Sequence, residues 1–461
     1  MNFKKNDILE LELDGMNNLG NGVGHTPDGV TVFVSGGVTG DRMRAKVIKV
    51  AKSFLVARIE EILSPSPYRA AEMRCNAPNS CGGCTYRNLK YEHELEIKRD
   101  YVKSAFRKAG LPFVEVDEVK STGQVCCYRN KAQYPVRAAK GGMKAGFFAN
   151  KTHDLIPAER CMLQPGIFSD IVDFVLDFSE KNRISAYNEE TLSGVLRHIY
   201  IREGKMTGEI MLCLVINGTG LSCEEKFSRE VMERFPGIAS VMLNINTKNT
   251  NVVLGESYKC IGGRDYIEDI LCGYRFRISA GSFYQVNHDA VQLLYGIAKE
   301  RADLHGGEIL ADLYCGIGTI GMSMAHDAKM LVGIEIVPEA VRCAEQNALL
   351  NGIENAYFFC GDASDTGGLL AGAKETLGEF VPDVVVIDPP RKGSTRELAE
   401  YLNNIGVKRV VYISCNPDTL ARDCTYFCEL GYNIGKVTPV DLFPGTGHVE
   451  SVVCLKRQIQ Q

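Results

Sequence analysis

The stretch EILADLYCGIGTIG, residues 308–321, decides the fold class of this chain. Its apolar first half predicts a buried strand over 308–313, and Gly316 and Gly318 follow at a turn that leads into a helix. Glycine lets the backbone approach a ligand closely, and open α/β sheets bind ligands at the carboxyl ends of their strands. The stretch therefore predicts a strand, a ligand-binding turn and a helix.

Further apolar runs downstream alternate with helical patterns, and they predict strands over 330–334, 356–359, 384–387 and 409–413. This alternation indicates a Rossmann-like, doubly wound parallel sheet, and hence an α/β fold, for residues 276–461. Glu335 ends the second strand, where an acid can bind ribose hydroxyls, and Asp362 ends the third, near the place of an adenine ring. Gly321 completes the spacing G-x-G-x-x-G, so NAD remains a rival to an adenosyl cofactor.

Two short polar motifs follow the last two of these strands, on the same rim as the glycines. DPPR (388–391) comes after VVVI, and SCNP (414–417) comes after VVYI. A DPP tripeptide after a strand is typical of methyltransferases that act on planar nitrogen or base substrates, and a plain proline-rich turn is the alternative. Cys415, in a polar turn at the rim, is a candidate nucleophile. Cys213 and Cys454 are expected to be buried thiols inside strands.

The rest of the chain is rich in predicted strands and divides into two parts. Residues 1–64 are predicted to form a small OB-like β-barrel, with strands over 8–13, 29–34 and 43–50 and a turn at 20–24. The stretch SPSP at 64–67 marks a linker. Residues 65–275 are predicted to form a β-rich central domain, with a helix over 91–109 and strands over 196–201, 209–216 and 241–245.

Seventeen cysteines are many for such a chain, and a disulfide framework is not expected at this length in a reducing compartment. Cys75, Cys81 and Cys84 have the spacing C-x5-C-x2-C, and the glycine pair before Cys84 suits a tight loop around a metal. Zinc on four thiolates and a 4Fe–4S cluster both fit these ligands. Zinc ribbons usually supply two C-x2-C pairs, so the single pair favours iron–sulfur.

Charge and hydropathy limit the classes of partner. The net charge of −5 does not indicate nucleic acid, but residues 121–151 contain no Asp or Glu and six basic residues, namely Arg129, Lys131, Arg137, Lys140, Lys144 and Lys151. Such segments release counterions from phosphates, which favours RNA, although a solvated loop face is the alternative. No long apolar window or apolar signal is present, so we expect a cytoplasmic protein with no membrane partner and no obligate protein partner.

Five motifs in order along the chain carry a specific resemblance: GSFYQVN (281–287), DLYCGIGT (312–319), DPPRKG (388–393), SCNP (414–417) and FPGTGHVESV (443–452). Together they resemble the uracil-5 RNA methyltransferases. Residues 1–64 resemble the TRAM domain of that family, and the cysteines from Cys75 to Cys84 resemble its cluster motif. The chain departs from the family at PGTG (444–447), where members commonly have a histidine.

The resemblance implies a role for individual residues. The contacts to S-adenosylmethionine would be Gln285, Tyr314, Glu335, Asp362 and Asp388. Cys415 would be the nucleophile and Glu450 the general base. The 4Fe–4S ligands would be Cys75, Cys81, Cys84 and Cys161, with Cys126-Cys127 as the alternative to Cys161. Phe283 is either a stacking partner for the target base or a core residue.

The implied activity is methylation of carbon 5 of a uridine in 23S ribosomal RNA through a covalent adduct between cysteine and C6. Methylation of the T-loop uridine of tRNA is the alternative within the class. An RNA-binding protein without activity and an NAD-dependent oxidoreductase are alternatives outside it. The intact Cys415 and Glu450 argue against the inactive protein, and NAD binding would distinguish the oxidoreductase.

Overall fold

The computed structural model describes residues 3–71, 75–78, 80–150, 152–366 and 368–458. Their strands form a closed barrel, a seven-stranded sheet, a two-stranded hairpin and an eight-stranded sheet, in that order along the chain. The predicted fold class, with a barrel first and a Rossmann-like sheet last, is confirmed. The domain boundaries after residues 64 and 275 stay predictions. Lys151, the last residue of the predicted basic segment, lies outside the described residues.

The N-terminal barrel has five strands: β1 Ile8–Met16, β2 Asn21–His25, β3 Thr31–Ser35, β4 Arg42–Val50 and β5 Phe54–Ser64. They pair in the closed order β1-β2-β3-β5-β4. Side chains alternate between buried and exposed because successive residues of a strand point to opposite faces. The inward row includes Leu13, Val32, Val34, Met43 and Leu55, each at most 1% exposed, and it fills the interior.

The predicted turn over 20–24 is wrong, because those residues lie largely in β2. The chain turns earlier, where the Gly20 N–H donates to Asn17 O over 3.0 Å. Gly22 serves close packing instead of a turn, since a Cβ there would lie 2.4 Å from Leu13 Cδ1. Strand β5, which the sequence does not predict, closes the barrel by pairing with both β3 and β4.

Helix α1, Tyr91–Lys108, confirms the helix predicted over 91–109. Its apolar face packs away from the central part of the chain. Val102, Ala105 and Phe106 join the core beneath the C-terminal sheet, together with residues such as Tyr412 and Leu420. The helix therefore belongs by packing to the C-terminal layer, close to the predicted catalytic rim.

The central sheet contains β6 Lys131–Ala139, β7 Gly142–Phe148, β8 Leu155–Pro157, β9 Leu196–Glu203, β10 Ile210–Ile216, β11 Ile238–Ile245 and β12 Ser257–Gly263. Their order is β12-β11-β10-β9-β6-β7-β8. Helices α2 Gly166–Lys181 and α3 Glu224–Arg234 cover one face with apolar side chains such as Phe168, Val175 and Phe227. The opposite face, with Tyr200 and Met211, packs into the core of the C-terminal part.

The hairpin of β13 Tyr266–Leu271 and β14 Tyr274–Ser279 leads into the C-terminal layers. The helices there are α4 His288–Ala302, α5 Thr319–Met324, α6 Pro338–Leu350, α7 Ala371–Leu377, α8 Arg396–Asn404 and α9 Pro417–Glu429. The strands are β15 Ile309–Leu313, β16 Met330–Glu335, β17 Ala356–Cys360, β18 Val384–Ile387, β19 Arg409–Ser414, β20 Tyr432–Ile434, β21 Thr438–Val440 and β22 Glu450–Arg457.

The C-terminal sheet has the order β17-β16-β15-β18-β19-β22-β20, and its eighth strand, β21, also pairs with β22. Strands β15 to β19 pair in parallel, so their carboxyl ends meet at one rim, and β22 runs antiparallel beside β19. The five predicted strands of this sheet are confirmed to within one residue, and Cys213 and Cys454 are buried in strands as expected. Among the described helices, none is both long and apolar enough to span a bilayer.

Candidate active site

The glycine turn between β15 and α5 opens at the rim of the C-terminal sheet. Gly316 and Gly318 have φ values of 56° and 87°, in the left-handed region that favours glycine. Tyr314 also has a positive φ, 76°, a strained backbone form that clusters at binding sites. Glu335 accepts hydrogen bonds from Gly316 N at 3.0 Å and Val337 N at 2.9 Å. Its carboxylate therefore lies directly beside the turn.

A cavity of ≈ 660 Å³ opens next to this carboxylate. Gly316, Glu335 and Phe283 line it, together with Tyr258 from the edge strand of the central sheet. The volume suits a small-molecule ligand. Phe283 is 67% exposed, so the core-packing alternative for this ring is wrong, and its stacking role stays a prediction.

Two other predicted cofactor contacts, Tyr314 and Asp362, follow β15 and β17 at the rim, and Gln285 precedes α4. Asp362 follows β17 and is exposed, and the N–H and hydroxyl of Ser364 donate to its carboxylate at 2.8 and 2.7 Å, which lowers its pKa. Burial, and then the charge of Asp362, raise the pKa of Tyr314 to about 12, so these two groups lie within electrostatic reach of each other. Gln285 is 9% exposed, and its backbone carbonyl accepts a hydrogen bond from Asn130 Nδ2 at 3.0 Å. Their roles stay predictions.

The register of β19 and β22 brings the predicted nucleophile and base together. Ser414, the last residue of β19, pairs with Ser451 of β22. Cys415 therefore follows β19 beside the point where Glu450 begins β22. Cys415 is half-buried and Glu450 is 4% exposed. Two residues that are 35 positions apart in the sequence become neighbours at one rim.

Electrostatics at this rim are dominated by two buried carboxyls. Burial raises the pKa of Asp388. Burial also raises the pKa of Glu450, and the negative charge of Asp388 raises it further. Like charges in a buried pair cannot both ionise easily, so each carboxyl disfavours ionisation of the other. Asp388 thus lies with Cys415 and Glu450 at the reacting end of the site.

The Cys415 thiol is held in its neutral form until something stabilises the anion. Burial, and then the charges of Glu450 and Asp388, raise its pKa to about 11, while the Arg391 guanidinium opposes them. Arg391 also lowers the pKa of Glu450. Cys415 immediately precedes Asn416, the cap of α9, whose side chain accepts from Asp418 N. The amino end of a helix favours a thiolate.

Arg391 belongs to the motif DPPRKG, but no role of its own is predicted for this residue from the sequence. Its backbone carbonyl accepts a hydrogen bond from Asn416 Nδ2 at 3.0 Å, which ties the DPPR loop to the start of α9. Its guanidinium lies 3.4 Å from Nε2 of His448. Arg391 is therefore placed between the cysteine loop, the carboxyl pair and the segment before β22.

Asp312 is a second residue that sequence reasoning missed. It is 0% exposed in the middle of β15 and accepts a hydrogen bond from Gly321 N at 2.8 Å. Burial raises its pKa to about 7, against the effect of that hydrogen bond. An acid inside the apolar run ILADL was the available signal, because buried acids are rare unless they have a structural or functional partner.

The four predicted cluster ligands line a second cavity, here called the cysteine cavity. Cys75, Cys81, Cys84 and Cys161 share its wall, and its volume is ≈ 70 Å³. That volume exceeds the roughly 10–15 Å³ that one water requires. The pKa of Cys84 is raised to about 12, mainly by burial and then by the other three thiols. The four thiols therefore lie within electrostatic reach of one another.

One arginine forms hydrogen bonds to the backbone around Cys75. Arg87 donates to the carbonyls of Cys75 at 3.2 Å, Ala77 at 2.5 Å and Pro78 at 2.7 Å. The next turn docks on the central sheet, where Gly82 N donates to Phe148 O at 3.1 Å. Residues 75, 77, 78 and 82 of this region are thus held by hydrogen bonds to Arg87 and to the central sheet.

The fourth cluster ligand is predicted to be Cys161, with Cys126-Cys127 as the alternative, and the positions of these thiols can be compared. The thiol of Cys161 has its pKa raised to about 11, by burial first, and the charges of Cys75 and Cys81 add to the effect. Cys126 lines an adjoining cavity together with Cys75, Cys84 and Cys161, and Cys127 is exposed, so the Cys126-Cys127 alternative stays open. No group of three or more His, Cys, Asp or Glu in the described chain is placed to hold a metal ion. A single ion needs ligands that converge on one point, whereas a 4Fe–4S cluster spreads them over several irons.

Comparison with known proteins agrees with this architecture. Residues 242–458 match the family tRNA (Uracil-5-)-methyltransferase, and residues 3–59 match the TRAM domain. An RNA methyltransferase from Bacillus cereus is 40% identical over 455 residues, which cover 98% of this chain and 97% of that protein. One from Clostridium acetobutylicum is 38% identical over 457 residues, 98% of both chains.

A solved structure is also similar across the whole length. It is the Pyrococcus abyssi tRNA (uracil-54, C5)-methyltransferase in complex with S-adenosyl-L-homocysteine, with a TM-score of 0.74 and 26% identity over 96% of this chain and 99% of that one. A family match over the C-terminal sheet, a TRAM match over the barrel and relatives matched from end to end agree with one another. The chain belongs to the RNA (uracil-5-)-methyltransferase family and begins with a TRAM domain.

Proposed function

We propose that this protein methylates carbon 5 of a uridine in 23S ribosomal RNA, with S-adenosylmethionine as methyl donor and a covalent bond between Cys415 and C6 of the base. The observation that carries the proposal is the juxtaposition of a half-buried thiol, a buried carboxyl and an arginine at one rim. Those groups are Cys415, Glu450 and Arg391. A cysteine with only a packing role does not require a carboxyl and a guanidinium beside its thiol, whereas a nucleophilic cysteine requires both.

The chemistry of uracil explains why these residue types are required. Carbon 5 is too weak a nucleophile to take a methyl group unaided. When the Cys415 thiolate adds to C6, an Sγ–C6 bond forms and the electron pair of the C5–C6 double bond moves onto C5 and the C4 oxygen. C5 then takes the sulfonium methyl group, and a neutral thioether leaves.

The second half of the reaction restores the base and the enzyme. Glu450 accepts the proton of C5, the C5–C6 double bond re-forms, and the Sγ–C6 bond breaks to return the thiolate. Glu450 must be ionised to do this, although its burial favours the neutral acid. Arg391 supports both steps, because its charge favours the thiolate and the carboxylate alike.

The glycine turn is the proposed site for S-adenosylmethionine. Its product, S-adenosyl-L-homocysteine, is bound in the solved relative from Pyrococcus abyssi. Glu335 lies beside the turn with backbone N–H groups on both of its oxygens, which leaves further lone pairs for ribose hydroxyls. Gln285, Tyr314, Asp362 and Asp388 are proposed contacts around it. The bound cofactor supplies an electrophilic methyl group.

The cysteine cavity is the proposed site of a 4Fe–4S cluster, with Cys75, Cys81, Cys84 and Cys161 as ligands. Four thiols line one cavity, and burial raises the pKa of two of them, Cys84 and Cys161. A positively charged iron centre, which stabilises thiolates, fits this set of ligands. Arg129 lines the same cavity, and its N–H donates to Leu163 O at 2.9 Å. The cluster would therefore hold the segment with Arg129 and Lys131 in place for RNA.

Ribosomal RNA is proposed because a TRAM domain together with the four-cysteine motif resembles the ribosomal branch of the family. The T-loop uridine of tRNA is the second candidate, favoured by the tRNA (uracil-54, C5)-methyltransferase of similar structure. With either substrate, we propose that the protein acts in the cytoplasm. In both cases the target base must leave its stack to reach Cys415.

A methyl-transfer assay separates the two substrates. Purified protein and labelled S-adenosylmethionine are incubated with unmodified 23S RNA or with unmodified tRNA, and the methylated nucleotide is mapped by mass spectrometry. We expect 5-methyluridine in the 23S RNA. Exclusive labelling of tRNA would support the second candidate, and labelling of neither RNA would contradict the proposed function.

A further inference from the structure

The segment between β21 and β22 brings Glu450 to the rim, and it is fixed by a buried set of charges. Val440, the last residue of β21, pairs with Glu450 across the hairpin, and Asp441 follows it directly. Asp441 is 1% exposed. Two residues of α1, Glu94 and Lys98, meet it there at 3% and 1% exposure. We call Glu94, Lys98 and Asp441 the clamp.

Lys98 is the centre of the clamp. Its ammonium group donates to Glu94 Oε1 at 2.7 Å, to Asp441 Oδ1 at 2.8 Å and to the carbonyl of Phe443 at 3.2 Å. An ammonium has three protons, so all three are used. One side chain of α1 therefore binds two points of the segment that leads to Glu450.

The two carboxylates of the clamp, those of Glu94 and Asp441, also accept hydrogen bonds from the backbone of the segment. Glu94 accepts a hydrogen bond from Gly445 N at 2.7 Å, and Asp441 accepts one from Phe443 N at 3.0 Å. The hydroxyl of Tyr91 donates to the second oxygen of Asp441 at 2.8 Å. Charged hydrogen bonds inside a dry interior are strong and directional, so the clamp sets the path of residues 441–445.

A stability role alone explains the clamp poorly. A buried ion pair is a weak source of stability, because removing the charges from water costs about as much as their attraction returns. Its hydrogen bonds to Phe443 and Gly445 instead fix the course of the backbone over residues 441–445. The segment it fixes ends at His448 and Glu450, which lie against Arg391 and Cys415.

We propose that Lys98 is a positioning residue, which holds Glu450 in place for removal of the C5 proton through the clamp and the 441–445 segment. The inference rests on the proposed role of Glu450 as base. The hydrogen bonds of the clamp go to α1 and to the 441–445 segment, whereas Cys415 is held between β19 and α9. Its attack on C6 should therefore not depend on the ammonium group of Lys98. Loss of Lys98 should therefore impair the second half of the reaction and spare the first.

The test separates the two halves. For Lys98→Met we expect kcat to fall about a hundredfold, as for a misplacement of roughly 1 Å in a catalytic group. The methylated RNA–protein adduct should accumulate on denaturing gels during turnover. The rate of adduct formation with 5-fluorouridine RNA, which stops before proton removal, should stay within about twofold of the wild-type rate. Lys108→Met, at the exposed end of α1, should behave as wild type in each assay.

Two further variants keep the inference testable if Lys98→Met does not fold. Glu94→Gln keeps the shape of the acceptor for Gly445, and Tyr91→Phe removes only one hydroxyl, so both should show milder accumulation of the same adduct. If adduct formation slows as much as turnover in these variants, the clamp is merely structural and the inference is wrong. Glu450→Gln is the reference variant for loss of the base. If it accumulates no adduct, Glu450 is not the base, and the positioning role proposed for Lys98 is then wrong as well.

Discussion

The thiols of Cys415 and Cys84 both have raised pKa values, and burial is the main cause in each case. Their neighbours differ, however, and they suit nucleophilic attack at Cys415 and metal binding at Cys84. Cys415 stands beside two carboxyls and the Arg391 guanidinium. Cys84 stands beside three other thiols. Burial makes both thiols poor nucleophiles on their own, so the neighbours decide which event creates the anion.

The difference teaches how one residue type serves two purposes in a single chain. A lone thiol with a cation and a base nearby can ionise when the substrate binds and can be released afterwards. Four thiols together repel one another as anions, and only a bound positive centre makes that state favourable. The comparison predicts that the two sites can be disabled separately.

The largest effect is expected at Cys415. Cys415→Ala removes the only atom that can form the Sγ–C6 bond, so turnover should fall by about 10⁴-fold or more. Iron content and RNA affinity should remain, because the cysteine cavity is untouched. Methyl transfer and iron are measured on the same preparation. Cys428→Ala, an exposed cysteine of α9, is the matched control and should keep full activity.

A smaller loss is expected at Arg391. Arg391→Gln removes the charge that opposes the two carboxyls, so the pKa of Cys415 should rise above its value of about 11. A rise of one pKa unit means a tenfold loss of thiolate, so kcat/KM at pH 7 should fall about tenfold or more. The pH–rate profile should move to higher pH. An unchanged profile in Arg391→Gln, with Lys392→Gln as control, would show that Arg391 does not stabilise the thiolate.

A loss of RNA affinity, with chemistry intact, is expected at the cysteine cavity. Cys81→Ser should lose most of its iron and its visible absorbance, and the Kd for RNA at fixed salt should rise about tenfold, or about 1.4 kcal/mol. The reason is that Arg129, which belongs to the basic segment together with Lys131, lines this cavity. Cys428→Ser is the control. If a variant without iron kept full affinity for RNA, the cluster would have no role in RNA binding.

The smallest effect is a pH-dependent change in stability at Glu450. Its pKa is raised in the folded protein and is about 4.3 when unfolded, so the unfolded state loses its proton first as pH rises and stability falls. Glu450→Gln cannot titrate, and its Tm should exceed that of wild type by about 2 °C at pH 8. The difference should shrink at about pH 4, below the pKa of Glu450 in both states, where the folded and the unfolded wild type both keep most of the proton. An equal difference at both pH values would contradict the raised pKa.

The regular parts of the fold could be predicted because their signals are local. Val384–Ile387 is an unbroken apolar run, and the structure has a strand with the same bounds. Strand β2 escaped prediction because Gly22 reads as a turn residue, whereas Leu13, in a different strand, requires glycine there for close packing. A glycine required by a distant neighbour cannot be recognised from its own surroundings.

The candidate site shows the same division. Cys415 could be singled out because a polar turn after a strand is a local pattern. Its contact with Glu450 depends on the register between β19 and β22, which the sequence does not reveal. Lys98 is more remote still, since its partner Asp441 is 343 residues away. Gly447 likewise has a distant cause, because a Cβ there would lie 1.7 Å from the carbonyl oxygen of Asn18 in the barrel.

The central claim is that the sulfur of Cys415 bonds to the pyrimidine before the methyl group moves. Substrate RNA with 5-fluorouridine at the target position, together with S-adenosylmethionine, should trap the protein, because fluorine at C5 cannot be removed as a proton. We predict a stable, methylated adduct that peptide mapping places on Cys415. If RNA that is methylated in its uridine form leaves no adduct in its fluorinated form, or leaves it on another residue, the account is wrong.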